Sequence, residues 1–201
     1  MVLSQIKSTV TKVFNPFYKF LVNIGVDPNH ITILGLAFGI VSGWAFAAHE
    51  YYIAFISLFL TGFMDMLDGG VARAGGFSSN QGAFLDSVVD RIADVAIITG
   101  IIIGFHNPFN QLMGILLLGS TFSISYVRAR GEGLGVDLSG IGLMERAERM
   151  LFLFVGALIA AIWGESALAI LVYLLLFLTL ITVVHRFFRA YWDLEENTVI
   201  N

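Results

Sequence analysis

The sequence contains no cysteine, which excludes disulfides and thiolate metal sites. It is also poor in charge, with 13% charged against 57% hydrophobic residues in a chain of 201 and a mean hydropathy of +0.83. A soluble domain carries about twice that share of charge, so the chain is expected in a bilayer, with little sequence left over for a soluble domain. There is no internal repeat and no low-complexity segment. His30, His49, His106 and His185 are scattered without ligand spacing and read as interfacial groups. No cleavable signal is evident, because some thirty amphipathic residues precede the first strongly apolar stretch. The net charge of −4 selects no partner, and nucleic acid is not expected.

What is present is long apolar sequence. A spanning helix needs roughly 20 apolar residues, and six stretches qualify: 31–48, 52–70, 83–105, 111–129, 147–163 and 166–187. The connections around His49 and Glu50, at 105–110 and at 163–166 hold no Lys or Arg. All 11 basic residues therefore lie at or near the other side: Lys7, Lys12, Lys19, Arg73, Arg91, Arg128, Arg130, Arg146, Arg149, Arg186 and Arg189. The positive-inside rule makes that side cytoplasmic, and an even span count puts both termini there. Tyr51, Tyr52 and Trp163 mark the outer interface, Tyr191 and Trp192 the inner one.

Over residues 2–23, Val2, Ile6, Val10, Val13, Phe14, Phe17 and Phe20 alternate with Lys7, Lys12 and Lys19. This predicts an interfacial amphipathic helix, broken or kinked at Pro16, with an ordinary packed helix as the alternative. Pro28 and Asn29 start a turn in which Asn29 caps the first span. The expected architecture is an all-α integral membrane protein with one domain over residues 1–201. It comprises a juxtamembrane helix in 1–24 and six transmembrane helices in 31–187, multi-pass in the cell membrane, with a loosely ordered polar tail over 193–201.

Asp65, Asp68, Asp86 and Asp90 stand inside this apolar sequence. Spacings of three and four residues place each pair on one face of a helix, so two helices can converge their acids on one site. A charged Asp at the centre of a spanning helix costs about 2.5–3.5 kcal/mol, and four cost about 10. The acids therefore belong near the cytoplasmic surface in a wet cavity, with cations to offset them. Arg73 and Arg91 supply two charges against these four and Asp94. One or two divalent ions close the deficit, and oxygen-only ligands favour Mg²⁺ or Mn²⁺. A proton or cation pathway, or an ion-pair network fixing helix register, remains the alternative. Gly69, Gly70, Ala72, Gly75, Gly76 and Gly82 clear space around the acids for a bulky ligand, although membrane helices also use glycine for close packing.

Residues 65–90 read DMLDGGVARAGGFSSNQGAFLDSVVD. This string resembles the signature of the CDP-alcohol phosphotransferases, DxxDGxxAR followed after a short spacer by GxxxDxxxD, with every fixed position present. The resemblance extends over the whole chain and implies transfer of a phosphatidyl-type group from a CDP-linked lipid to an alcohol, with release of CMP. It implies that Asp65, Asp68, Asp86 and Asp90 hold two metal ions and that Asp90 is also the general base. Gly69, Ala72, Arg73 and Gly82, together with Asp65 and Asp68, would bind the CDP-lipid. Asn29 either reaches the diphosphate or serves only as a cap. The resemblance also supports a homodimer.

The family signature is silent on the acceptor. Arg128, Arg130, Arg146 and Arg149 fall within one short segment on the cytoplasmic side, near Glu145 and Glu148, and forked guanidinium groups favour a phosphorylated acceptor. Each arginine has an alternative role in topology or in contacts to anionic lipid. SYVRARGEGLG followed by ERAER resembles the phosphatidylinositol phosphate synthases of actinobacteria and the archaetidylinositol phosphate synthases of archaea, which implies inositol 1-phosphate as acceptor. Arg128, Arg130, Arg149 and Arg186 would then bind its phosphate, while Arg146 could join them or equally pair with Glu145 or Glu148. Glycerol 3-phosphate is the alternative acceptor, and a cation transporter the alternative of another class. The choice between archaeol and diacylglycerol is not written in the residues.

Overall fold

The computed structural model describes residues 14–199, with side chains through residue 195. Among the described residues there are seven helices and no strand: α1 (14–23), α2 (Pro28–Ala47), α3 (Tyr51–Gly75), α4 (Asn80–Gly104), α5 (Pro108–Glu132), α6 (Arg146–Trp163) and α7 (Glu165–Val199). The residues expected for the amphipathic helix before 14 lie outside the described residues.

Helices α2, α3, α5 and α7 are each long and apolar enough to cross a membrane. Helix α4 carries Asp86, Asp90, Arg91 and Asp94, and α6 carries Arg146, Glu148 and Arg149, so charges interrupt the apolar runs of these two. The outer surface is rich in large apolar side chains, among them Ile33, Trp44, Ile103, Ile115, Ile170 and Phe177, as a chain surrounded by lipid requires. The protein is a membrane protein.

Helix α2 packs against both α3 and α4, α3 against α6, α4 against α5, and α7 against α5 and α6. The α2–α4 crossing is close because small residues face each other. A Cβ on Gly43 would strike the Ala96 carbonyl, and one on Gly100 would strike Gly43. Such small-on-small contacts let backbones approach where lipid offers no hydrophobic drive for association. Helix α1 lays Tyr18, 2% exposed, over α3 within a cluster that includes Ile31, Leu67 and Val71. Its Phe17 and Phe20 remain exposed.

One expectation is corrected. The polar end of the chain continues as helix to Val199, because backbone bonding persists past the apolar run and Arg189 pairs with Asp193 one turn on, at 3.0 Å. The connection between α5 and α6 tucks against α7, burying Val136 and Leu138 with Ala190. The Leu143 and Met144 amides donate to the Thr182 hydroxyl at 3.3 and 3.1 Å.

At the end of the bundle away from the acids, three connections are tied together. His49 lies 2.8 Å from the Tyr51 hydroxyl and stacks on His106, with centroids 5.0 Å apart. His106 in turn meets Glu165 at 2.7 Å.

Candidate active site

The DxxD half of the motif lies on α3 and the DxxxD half on α4, joined by a short connection. Helix α3 stops at Gly76, whose φ of +69° suits glycine at a left-handed cap. Helix α4 starts from Ser79, which accepts from the Gly82 amide at 3.0 Å. These two ends turn the chain so that the acids face one another. Carboxylate oxygens of Asp65, Asp68 and Asp86 come within 4.8 Å of one another.

Beside this trio lies a cavity of about 530 Å³. Its walls are the 25–29 turn, Thr32 on α2, Asp68, Gly69, Ala72 and Arg73 on α3, residues 77–79, and Gly82, Ala83 and Asp86 on α4. Of the residues expected around a CDP-lipid, Asn29, Asp68, Gly69, Ala72, Arg73 and Gly82 all line it. Asp65 lies instead on a small adjoining pocket with Asp90 and Arg146, and Thr32 borders both.

Not every glycine clears space for a ligand. The Tyr18 ring fills the side of Gly70 and the Phe77 ring that of Gly75, whereas Gly69 and Gly82 face Arg73 and Asn29 along the cavity. Asn29 does not cap α2. Asp27 does, accepting from the Asn29 amide at 2.8 Å, because Pro28 takes the first helical position and the cap falls two residues earlier than expected. The Asn29 side chain thereby stays on the cavity wall.

Thr32 was not singled out from the sequence, yet its hydroxyl lies 2.7 Å from Asp68 Oδ2. The Gly69 amide donates to the other Asp68 oxygen. Only a helix-period reading of α2 against α3 would have found Thr32. The larger revision concerns Arg146, which pairs with neither Glu145 nor Glu148. Its Nη1 lies 2.9 Å from Asp65 Oδ1 and its Nη2 2.8 Å from Asp90 Oδ1, because the start of α6 packs against α3. Asp90 Oδ2 is 3.5 Å from Arg91.

The arginines expected at the acceptor phosphate are distributed as follows. Arg128 pairs with Glu132 at 2.8 Å, and Arg130 is exposed. Arg149 is buried, bonding Asp94 at 2.9 Å and the Met144 carbonyl at 3.1 Å. Arg186 is buried too, donating to the Ile141 carbonyl at 2.6 Å and to Glu145 at 3.0 Å. Nearby, the Ser139 amide and hydroxyl hold the Asp137 carboxyl below its usual range.

The trio fits a hard divalent ion. It offers only carboxylate oxygens, and Asp86 Oδ1 is buried with no hydrogen-bond partner, a cost of roughly 1–3 kcal/mol or more that a cation would remove.

An all-helical membrane protein with clustered acids beside a cavity of nucleotide size has the layout of an enzyme that handles a phosphorylated substrate. The family model for CDP-alcohol phosphatidyltransferase matches residues 26–194. The chain belongs to that family, and it is a phosphotransferase of phospholipid biosynthesis. It is 35% identical over 193 residues to the archaetidylinositol phosphate synthase of Pyrococcus horikoshii, covering 96% of this chain and 98% of that one. It is 36% identical over 188 residues to the phosphatidylinositol phosphate synthase of Streptomyces avermitilis, covering 88% and 77%. Among solved structures, the phosphatidylinositol phosphate synthase of Mycobacterium tuberculosis with CDP-DAG bound superposes with a TM-score of 0.81 at 28% identity, covering 90% of this chain and 94% of that one. The same enzyme in complex with manganese and citrate gives 0.79 at 29% identity, covering 88% of each.

Proposed function

We propose that the protein transfers the phospholipid moiety of a CDP-lipid, CDP-archaeol or CDP-diacylglycerol, to the hydroxyl of inositol 1-phosphate, releasing CMP and forming an inositol-phosphate phospholipid. The observation that carries this reading is the cavity whose polar wall gathers Asn29, Asp68, Gly69, Ala72, Arg73 and Gly82 against the carboxylate trio. The names of the relatives support the acceptor.

In this reading the cavity holds the cytidine and diphosphate, with Arg73 and the Gly69 face against the phosphates. Asp65, Asp68, Asp86 and Asp90 hold two divalent ions, Mg²⁺ or Mn²⁺, and Thr32 fixes the Asp68 carboxylate. When bound, such ions offset the diphosphate charge and stabilise departing CMP. Asp90 takes the proton from the acceptor hydroxyl. The acceptor oxygen bonds to the lipid-side phosphorus as the bond from that phosphorus to CMP breaks. Arg128, Arg130, Arg149 and Arg186 receive the acceptor phosphate, which displaces Glu132 from Arg128 and Glu145 from Arg186. All of α2–α7 span the cell membrane, α1 continues an interfacial helix within residues 1–24, the acids and both termini face the cytoplasm, and two copies form a homodimer.

Purified protein given CDP-lipid, Mg²⁺ or Mn²⁺ and inositol 1-phosphate is expected to release CMP. Chelation of the metal and Asp90→Asn should each abolish release. Inositol 1-phosphate should turn over at least about tenfold faster than glycerol 3-phosphate, about 1.4 kcal/mol of transition-state binding. The reverse order would overturn the acceptor. Metal flux into sealed vesicles without CDP-lipid would revive the transporter.

A further inference from the structure

Arg146 takes up the side of the acidic site that the metal trio leaves over. Its guanidinium bridges Asp65 Oδ1 and Asp90 Oδ1, and Arg91 stands at the second Asp90 oxygen. Both oxygens of Asp90 therefore face cations of the protein itself, while Asp86 Oδ1 has no partner. Asp65 belongs to both arrangements, as a member of the trio and as a partner of Arg146.

The position is electrostatically unusual. Arg146 is the first residue of α6, where the helix dipole disfavours a positive charge. The aspartates hold it there, with its side chain only 17% exposed. Its Nε is buried without a hydrogen-bond partner and lies 4.0 Å from Asp94 Oδ1. A short movement toward Asp94 would give that Nε an acceptor and free the facing oxygens of Asp65 and Asp90. That would give the guanidinium a second seat, beside the site instead of across it.

We propose that Arg146 is a resident counter-cation that occupies the Asp65–Asp90 side of the centre and is displaced toward Asp94 when a second divalent ion binds. This rests on the metal reading given above. The first ion is received by Asp68, Asp86 and the remaining oxygen of Asp65. Only release of Arg146 opens Asp90 as a ligand.

Mn²⁺ titration followed by the electron paramagnetic resonance signal of the free ion tests this without turnover, using the full-length wild type, Arg146→Gln and Arg146→Lys in detergent. The wild type should show one tight and one weaker ion. Arg146→Gln should tighten the weaker ion about 10- to 100-fold, the range over which groups beside a metal centre shift its affinity. Arg146→Lys, which keeps the charge without the fork, should fall between the two and guards against a Gln variant that fails to fold in the absence of metal. Equal or weaker Mn²⁺ binding in the folded variants would overturn the displacement and leave the metal reading standing. Absence of binding in every protein, wild type included, would overturn both.

Discussion

Asp94 and Arg149 are both almost fully buried and face each other at 2.9 Å. Removing one partner of such a pair strands the other charge away from water, at a cost of about 3–5 kcal/mol. Asp94→Asn is therefore expected to lower thermal stability in detergent sharply, by more than any substitution of half-buried Arg128. An equal effect at the two positions would show that Arg149 finds another partner, its bond to the Met144 carbonyl being the candidate. Asp94 was counted from the sequence as part of an unpaid negative charge, with only Arg73 and Arg91 to set against it. The pairing with Arg149, 55 residues away, has no local signal. The same holds for Arg146, which lies 81 residues from Asp65. The aspartates and glycines of the motif were legible because their spacing within α3 and α4 is itself the geometry. The arginines that answer them come from α6, whose packing no periodicity reports.

At the scale of helices, the α2–α4 crossing makes a sharp demand. A methyl group on Gly43 would run into the backbone of α4 at Ala96, and backbone cannot rotate aside as a long side chain can. Gly43→Ala is expected to cost about 1–3 kcal/mol and to appear as a lower melting temperature and poorer monodispersity. Gly62→Ala, which meets nothing within 4 Å, serves as the control and should leave both unchanged. The existence and order of the helices were readable from hydropathy, since each apolar run is a helix. Their ends were not, because the hydropathy of a run fades before its hydrogen bonding does. Helix α7 outlasts its expected span for that reason, and α2 begins earlier because Asp27 and Pro28 form a better start than Asn29.

For the molecule as a whole, the absence of cysteine makes sidedness directly measurable. Asp137→Cys, in the exposed α5–α6 connection, should react with a membrane-impermeant maleimide only when the cytoplasmic face is open to the reagent. Glu50→Cys, before α3, should react from the opposite face. Labelling of both from one side would overturn the proposed topology. The two ends of the bundle are built differently in keeping with this. One end is drawn together by His49, Tyr51, His106 and Glu165, and the other opens into the acid-lined cavity.

The wide separation of Arg146 from the acids also bears on how the protein is made. All four motif aspartates and every residue lining the large cavity are in place once the chain has been synthesised through Asp90. The guanidinium that bridges Asp65 and Asp90 emerges only with α6. A partly made chain therefore has its acids before the guanidinium that bridges two of them exists. Over that interval the burden falls on water, protons or free ions, so the order of synthesis leaves the acidic site without its own bridging guanidinium until α6 has been made.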